Sequence, residues 1–383
     1  MTTSLNKMAP LSLDSEPELN KKKETKIYPE LCNECNKSDE NKREKQEIIW
    51  FNVFAFIIAH IIWSQYFLHF WLTLDWPTYI FTWVWVLFSI MGISAGVHRL
   101  WSHKSYKANA PLRFLLMLCN SAFFSNCIYA FVRDHRVHHK YTDTDADPHN
   151  SKRGFFYCHM GWLMVKRLPL TKKRIKEIDM SDIEQDKIAM FQKDYYYILM
   201  PLFTFILPTL IPFYFWGKDP WEAFCVCGVV RIVTSLHGLF TVNSFAHMWG
   251  SQPYDNKTTT SRQNPFVAFW TCGDGWHNYH HTFPWDYKAS EFPYHLNLTT
   301  AFIDLFAKIG WAWDLKTVKP DVIARRAALT GDGSRLNDVP KTEKCVELSH
   351  SNIWGWDDKE LTDKHKEVAL ILVQRGTTGQ RSL

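Results

Sequence analysis

Four apolar runs, each long enough to cross a lipid bilayer, constrain this chain of 383 residues more than any other feature. They cover about residues 48–74, 78–96, 195–216 and 221–245. Because about 20 apolar residues span the hydrocarbon core of a bilayer as a helix, each run predicts a transmembrane helix. Only a short turn separates the first run from the second, and the third from the fourth. The sequence therefore predicts an all-α membrane protein with two antiparallel hairpins of transmembrane helices.

The segments outside these runs are polar and divide the chain into three parts. Residues 1–47 predict a flexible leader, residues 48–319 a membrane-embedded domain with a helical cap, and residues 320–383 a soluble tail. The two short turns hold one Lys between them, whereas the leader, residues 98–194 and the region after residue 247 hold nearly all the other Lys and Arg. Positive charge favours the cytosolic side, so both termini and the cap are predicted to be cytosolic. The net charge of +5 is modest, and no nucleic-acid partner is expected.

Ionisable side chains inside the apolar runs include His60, His69 and Arg231. His60 and His69 stand alone in the first run, which favours packed or interfacial side chains over metal ligands. Arg231 lies in the fourth run and is expected to face protein or water, because a charged group in contact with lipid is costly. A further apolar stretch, residues 111–124, is too short to span comfortably and predicts a helix that lies in the interface or packs under the cap.

Histidines cluster beside the ends of these runs. His135, His138 and His139 stand at positions i, i+3 and i+4, which turn by about 300° and about 400° on a helix and share one face. The same spacing returns later in the chain, and two pairs accompany the triplets. The residues concerned are His277, His280 and His281 in the second triplet, His98 and His103 in HRLWSH, and Asn243 with His247 at the end of the fourth run.

Nine histidines in these clusters are too many for one four- to six-coordinate ion, so the sequence favours two metal ions. Neutral imidazoles suit zinc and iron alike, and the residue types do not choose between them. His98 and His103 lie about 140° apart on an ideal helix, so they would reach two metals, or one metal if the helix ends between them. The other ring nitrogen of each ligand needs an acceptor. Nearby carboxylates that qualify are Asp134, Asp143, Asp145, Asp147 and Asp274.

The stretches around these histidines resemble the integral-membrane acyl-CoA desaturases, the stearoyl-CoA desaturase family, and the insect members most closely. The matching stretches are GVHRLWSHKSYKA, VRDHRVHHKYTDTDADPHNSKRGFF, NSFAHMWG and GDGWHNYHHTFPWDYKASE. Two further stretches, LTTAFIDLFAKIGWAWDLKTV and LTGDGSR, resemble the insect members in particular. The resemblance covers about residues 45–335.

The resemblance implies four transmembrane helices under a cytosolic helical domain that holds two irons. It also implies an O2-dependent reaction that places a cis double bond in a long-chain acyl-CoA, with electrons from cytochrome b5 and its NADH-dependent reductase. An endoplasmic reticulum membrane is implied as the location. The family's iron ligands match, residue by residue, His98, His103, His135, His138, His139, His247, His277, His280 and His281, with Asn243 acting through a bound water.

The resemblance also assigns substrate contacts. Lys166 and Arg167 match family positions near the CoA, and Asn126, Arg133 and Asp134 match positions near its pantetheine end. The tunnel for the acyl chain departs from the family pattern. Phe131 stands where a Trp is usual, and Leu239 and Phe240 replace a Thr-Trp pair. The double bond is expected at Δ9 by default. Because of these departures, a shift of the double bond to Δ11 or Δ12 and a substrate that is already unsaturated both remain open alternatives.

Two other functions fit part of the pattern. A related di-iron fatty-acid hydroxylase shares the histidines and the membrane setting, but the spelling GDGWHNYHHTFPWDY favours desaturation. A histidine-rich membrane metal transporter would place ionisable residues within the spans, paired across the bilayer. The clusters lie at or beyond the ends of the runs instead, which favours an enzyme.

Overall fold

The computed structural model describes residues 45–335 and 352–374. By its contacts the chain divides into two units, Met1–Lys45 and Gln46–Leu383, and nearly all of the described residues belong to the second. The predicted leader, residues 1–47, lies almost wholly outside the described residues. Four helices in the described part are long and apolar enough to cross a membrane: α1 (Trp50–Leu72), α2 (Trp76–Ser102), α9 (Tyr196–Trp216) and α10 (Pro220–Met248). The all-α membrane architecture predicted from the apolar runs is confirmed.

The two predicted hairpins form because each turn carries a helix start signal. Asp75 caps α2 by accepting a hydrogen bond from the Thr78 backbone N–H at 3.1 Å, and Asp219 caps α10 in the same way. Gly217 ends α9 in a left-handed conformation (φ 68°), which glycine adopts without strain. Lys218 Nζ lies 2.6 Å from a carboxylate oxygen of Asp75, so the two turns meet at the same end of the helices.

Helix α1 is largely exposed within the described chain, and Phe70 is its one buried residue. Helix α10 is largely buried. Phe51, Phe54 and Leu68 are exposed along α1, as expected for side chains that contact lipid. Helix α10 occupies the centre of the bundle and contacts α1, α2 and α9. The fourth span thus serves as the packing core of the membrane part.

The ionisable residues inside the spans all have protein partners. Arg231 is buried, as predicted, and its guanidinium donates to the backbone carbonyls of Cys227, Ala122 and Thr204. His60 Nε2 lies 2.9 Å from Nε2 of His237 on α10, and His69 Nε2 lies 2.7 Å from Glu222.

The polar segments fold into short helices and two small sheets around the ends of the spans. The short apolar stretch becomes α3 (Ala110–Ser121), whose Leu112, Leu116 and Met117 are buried, so it packs under the cap as one of the two expected alternatives. The other helices are α4 (Ile128–Lys140), α5 (Phe155–His159), α6 (Pro169–Ile175), α7 (Ser181–Glu184), α8 (Lys187–Asp194), α11 (Pro265–Trp270), α12 (His277–Thr282), α13 (Leu298–Lys308), α14 (Pro320–Thr330) and α15 (Asp363–Glu367), with 3-10 turns at Ser151–Arg153 and Gly161–Met164.

Four short strands pair antiparallel in two sheets. Strand β1 (Lys107–Ala108) pairs with β2 (Ala312–Trp313), and β3 (Leu315–Val318) pairs with β4 (Ala369–Leu372). The second sheet joins the predicted tail to the histidine-bearing part of the chain. Helix α14 also packs there through buried Val322 and Ile323. The domain boundary at residue 320 stays a prediction, but residues on both sides of it share one hydrophobic cluster.

Candidate metal centre

The nine predicted histidines converge at one end of the spans. Helix α4 carries the first triplet, and the short helix α12 carries the second. The structure sorts eight of the nine into two groups whose ring nitrogens lie within 4.8 Å of one another. Group I consists of His98, His103, His135 and His280, and group II consists of His138, His247, His277 and His281.

Each triplet contributes to both groups. His135 on α4 joins group I and His138 joins group II, whereas on α12 it is His280 that joins group I and His277 and His281 that join group II. His139 lies at the junction, with its Nε2 3.1 Å from that of His280 and its ring stacked 4.2 Å from that of His281. The spacing i, i+3, i+4 thus spreads one triplet over two neighbouring sites instead of concentrating it on one.

His98 and His103 share a group because α2 changes its winding before it ends. From Gly92 to Ser102 the helix is a π-helix, and the His103 N–H donates to the His98 carbonyl at 3.2 Å, five residues back. This bond pattern brings residues five apart onto one side, where an ideal α-helix would separate them by about 140°. Both rings therefore lie in the same group, which is the placement that the single-metal alternative requires.

The spacing of the ring nitrogens fits bound metal ions. In six pairs the two Nε2 atoms lie 2.8–3.3 Å apart. A metal–nitrogen bond of about 2.0–2.1 Å sets neighbouring ligands about 2.8–3.0 Å apart around an octahedral ion and about 3.3–3.4 Å apart around a tetrahedral one. Two facing Nε2 lone pairs at this distance repel, and a proton or a metal ion between them removes the repulsion. The donor set therefore matches two nitrogen-liganded metal ions.

Carboxylates hold three of these rings by the other nitrogen. His138 Nδ1 lies 2.8 Å from Asp147, His247 Nδ1 lies 3.0 Å from Asp143, and His98 Nδ1 lies 3.3 Å from Asp274. The contacts of His138 and His247 are hydrogen bonds that place a proton on Nδ1 and leave Nε2 free to bind metal. The Asp274 carboxylate lies close enough to Nδ1 of His98 to favour the same tautomer. Of the five carboxylates proposed from the sequence, three take this role. Asp134 accepts from Arg133 and Arg167 instead.

Six of the histidine rings favour the neutral form, because they are buried beside one another. Burial first, and neighbouring histidines second, hold the pKa of six rings well below the usual 6.5. The six are His103, His135, His139, His277, His280 and His281. His138 is the exception, since Asp147 raises its pKa despite burial. Neutral imidazole is the form that binds a metal ion.

Two partners of these rings were not expected from the sequence. The backbone carbonyl of Trp354 accepts a hydrogen bond from Nδ1 of His103. The His149 ring lies tilted against that of His138, with the ring centres 4.3 Å apart, and His149 forms a third set with His138 and Asp147. The position of His149, two residues after Asp147, was a usable signal. Nothing in the sequence indicated Trp354, which lies about 250 residues from His103.

Asn243 is the last residue of the helical segment Arg231–Asn243, one turn before His247. Its role through a bound water stays a prediction.

The predicted substrate contacts fall into separate places. Arg133 and Arg167 both donate to Asp134, while Lys166 pairs with Glu47. Asn126 is exposed, in a left-handed conformation (φ 93°), and its backbone N–H donates to the Tyr196 hydroxyl.

Of the three predicted tunnel residues, two lie together. Phe131 and Leu239 pack in one apolar cluster with Ile90 and Phe123, and the Phe131 ring stacks on His135 of group I. Phe240 is buried on a different side of α10, with its ring 5.6 Å from that of His159.

An apolar cavity of about 440 Å³ lies beside this cluster, between α2 and α10. Val86, Ile90 and Cys272 belong both to its wall and to the cluster of Phe131 and Leu239. The cavity therefore adjoins the cluster that contains Phe131, whose ring stacks on His135 of group I.

Comparison with known proteins gives consistent matches over this region. Residues 74–295 match the family described as fatty acid desaturase. An acyl-CoA Delta-9 desaturase of Acheta domesticus is 48% identical over 330 residues, which is 85% of this chain and 87% of the relative. An acyl-CoA Delta-12 desaturase of Tribolium castaneum is 43% identical, covering 85% of this chain and 92% of the relative. An acyl-CoA Delta(11) desaturase of Spodoptera littoralis is 49% identical, covering 81% and 91%.

Proposed function

Because the chain belongs to the fatty acid desaturase family, we propose that it is an acyl-CoA desaturase, which removes two hydrogens from a long-chain saturated or monounsaturated acyl-CoA and leaves a cis double bond. O2 is reduced to two waters by two electrons from the substrate and two from a donor, with two protons taken up. The observation that carries this proposal is the pair of buried four-histidine groups within the family-matching segment.

We propose that the two groups hold two iron ions. Iron with O2 supplies an oxidant strong enough for an unactivated methylene C–H bond. The chain contributes neutral imidazoles, and Asp147, Asp143 and Asp274 orient three of them. Metal analysis of the purified protein should find two irons per chain.

The acyl tail is proposed to occupy the apolar cavity between α2 and α10. Its volume of about 440 Å³ lies within the range of small-molecule sites, about 300–1,000 Å³. The cavity wall joins the cluster of Phe131 and Leu239, and Phe131 stacks on a group I histidine. A chain that passes these two side chains would present an inner methylene to group I while its methyl end fills the cavity.

This arrangement predicts that Phe131 and Leu239 set the position of the double bond. Phe131→Trp and Leu239→Thr restore the side chains usual in the family, and we expect them to change the ratio of Δ9 to Δ11 or Δ12 products. Product ratios would be measured by gas chromatography–mass spectrometry after derivatisation of the double bonds. Phe240→Trp is the informative comparison, because Phe240 packs against His159 instead. A shift caused by Phe240→Trp alone would contradict the assignment of Phe131 and Leu239.

The CoA head is proposed to bind at Lys166 and Arg167, and its pantetheine end at Arg133, Asp134 and Asn126. Two of these cations share the carboxylate of Asp134, so the set keeps a net positive charge for the anionic CoA phosphates. Such contacts weaken as salt screens them. The KM for acyl-CoA should therefore rise with ionic strength while kcat changes little.

Cytochrome b5 and its NADH-dependent reductase are proposed as the electron donors, at an endoplasmic reticulum membrane with both termini in the cytosol. The four spans return the chain to the side on which it starts, and the histidine groups lie at that side. Reconstitution with the two donor proteins should make NADH oxidation depend on acyl-CoA. Tags at both ends should be open to protease in sealed microsomes.

The deciding experiment is expression of this chain in yeast that lack their own desaturase, followed by analysis of the fatty acids. New cis double bonds in long-chain fatty acids would support the proposal and locate the bond. A hydroxylated product, or no product from expressed and iron-loaded protein, would contradict it.

A further inference from the structure

Residues 352–374 form the second described stretch of the predicted tail and lie against the histidine-bearing part of the chain; we refer to this stretch as the C-terminal clasp. Its strand β4 pairs with all four residues of β3. Ile353 and Leu361 are buried in the same cluster as Tyr279, which stands inside the second histidine triplet. The clasp is therefore packed into the region of the metal centre.

The clasp holds His103 of group I from two sides. The Trp354 carbonyl accepts from Nδ1 of His103, and the Trp356 N–H donates to the His103 carbonyl at 3.0 Å. Gly355 stands between these two bonds. A Cβ at Gly355 would lie 2.4 Å from the His103 carbonyl oxygen, so only glycine permits this approach. His103 is completely buried, and its Nε2 points at that of His135 at 2.8 Å.

Lys140 and Arg136, which follow His139 and His135 on α4, hold the clasp in this position. Asp358 is buried; one carboxylate oxygen accepts from the Trp354 N–H at 2.8 Å and the other from Lys140, the residue after His139, at 2.9 Å. The guanidinium of Arg136, which follows His135, lies 3.9 Å from the centre of the Trp354 ring. The turn that presents the Trp354 carbonyl is thus tied to helix α4 at two points.

We infer that the C-terminal clasp is a working part of the metal centre, in which the Trp354 carbonyl is the positioning group that fixes the tautomer and orientation of His103. The Trp354 carbonyl contacts Nδ1 of His103, as a carboxylate contacts Nδ1 in the pairs His98–Asp274, His138–Asp147 and His247–Asp143. Metal binding at group I depends on the clasp because the clasp, and not a carboxylate, contacts Nδ1 of His103. In group II the partners of His138 and His247 are Asp147 and Asp143, which lie outside the clasp. The inference rests on the proposed function, because it presupposes that both groups bind metal.

The test uses the full chain, purified with iron in detergent, and two substitutions that loosen the clasp. Gly355→Ala forces the turn away from His103, and Asp358→Ala removes the acceptor that holds the Trp354 N–H. Partners of metal-ligating histidines typically change metal affinity by about 10–100-fold. We expect each variant to lose one of its two irons to a chelator about 10–100-fold more readily than the wild type, and to keep the other. One component of the Mössbauer spectrum should disappear while the second remains.

Glu360→Ala is the matched control, since Glu360 also pairs with Lys140 but is exposed and does not contact Trp354. It should retain both irons. If Asp358→Ala does not fold, Gly355→Ala carries the test by itself, because it displaces the same turn from His103.

The outcomes separate the inference from the proposed function. Wild-type protein that binds no iron would overturn the proposed function. Wild-type protein with two irons, together with clasp variants that keep both or lose both equally, would overturn the inference alone.

Discussion

At the scale of single residues, the metal centre depends as much on the acceptors behind the histidines as on the histidines themselves. A buried imidazole can place its proton on either nitrogen, and only one choice leaves Nε2 free. Asp147 decides this for His138, and it is buried and accepts at 2.8 Å. His138 in turn holds the pKa of the Asp147 carboxyl below its usual range, although burial opposes this. The pair therefore remains a carboxylate and a proton donor at neutral pH.

We predict that Asp147→Asn weakens metal binding at group II. An amide can accept the same hydrogen bond, but it lacks the charge that holds the proton on Nδ1, and loss of such a partner costs about 10–100-fold in affinity. Iron retained against a graded chelator would be measured for the variant, with Asp321→Asn as the control because Asp321 is exposed on α14. Equal retention by Asp147→Asn and wild type would show that the carboxylate is dispensable.

At the scale of elements, the cap depends on close contact between α2 and α3. Gly92 begins the π-helical part of α2, and a Cβ at this position would lie 2.1 Å from the backbone nitrogen of Asn120 on α3. The contact brings α3 under the segment that carries His98 and His103. A side chain here would separate two backbones, which cannot move aside as a flexible side chain can.

We predict that Gly92→Ala destabilises the protein by about 1–3 kcal/mol or more, the usual cost of overpacking. Gly228→Ala is matched to it, because Gly228 also lies in a π-helical part of a span but its Cβ would meet the Phe205 side chain at 3.3 Å. The control should change stability by no more than about 1 kcal/mol. Thermal unfolding in detergent would compare the two, and equal melting temperatures would rule out the close contact.

At the scale of the whole molecule, the histidine clusters join segments that are far apart in the chain. Group I alone draws on α2, α4 and α12. Six of the nine rings have a pKa well below 6.5, first because they are buried and then because they face one another. Without metal, the folded protein therefore contains six buried histidines that resist protonation.

We predict that the metal-free protein loses thermal stability on acidification. In the unfolded chain these histidines titrate near pH 6.5, so below about pH 6.5 the unfolded state binds protons that the folded state does not, and the free energy of unfolding decreases. Above about pH 6.5 this contribution is fully present. His138 acts in the opposite direction, but one raised pKa does not offset six lowered ones.

The melting temperature would be followed from about pH 8 to about pH 5.5. His280→Gln removes one of the six groups and should reduce the slope. A melting temperature that stays constant or rises on acidification would contradict the prediction.

Local patterns determined much of this protein. The four spans follow from apolar runs that must be about 20 residues long, and the hairpins follow from turns too short to allow anything else. The nine histidines were identified from their spacing and from the resemblance, and eight fall into the two groups. Five carboxylates were proposed from the sequence as partners of the ring nitrogens. Three of them, Asp143, Asp147 and Asp274, contact an Nδ1 atom in the structure.

Only the tertiary structure decided how the histidines divide and what completes their surroundings. Periodicity predicted one face for each triplet, but His135 and His138 serve different groups because segments from across the chain meet between them. The π-helical turn that unites His98 with His103 depends on how α2 packs against α3. The Trp354 carbonyl could not be predicted, because every residue type has a carbonyl and only long-range packing aims this one at His103. Spacing along a chain specifies which ligands exist, whereas the packing of distant segments specifies which of them meet.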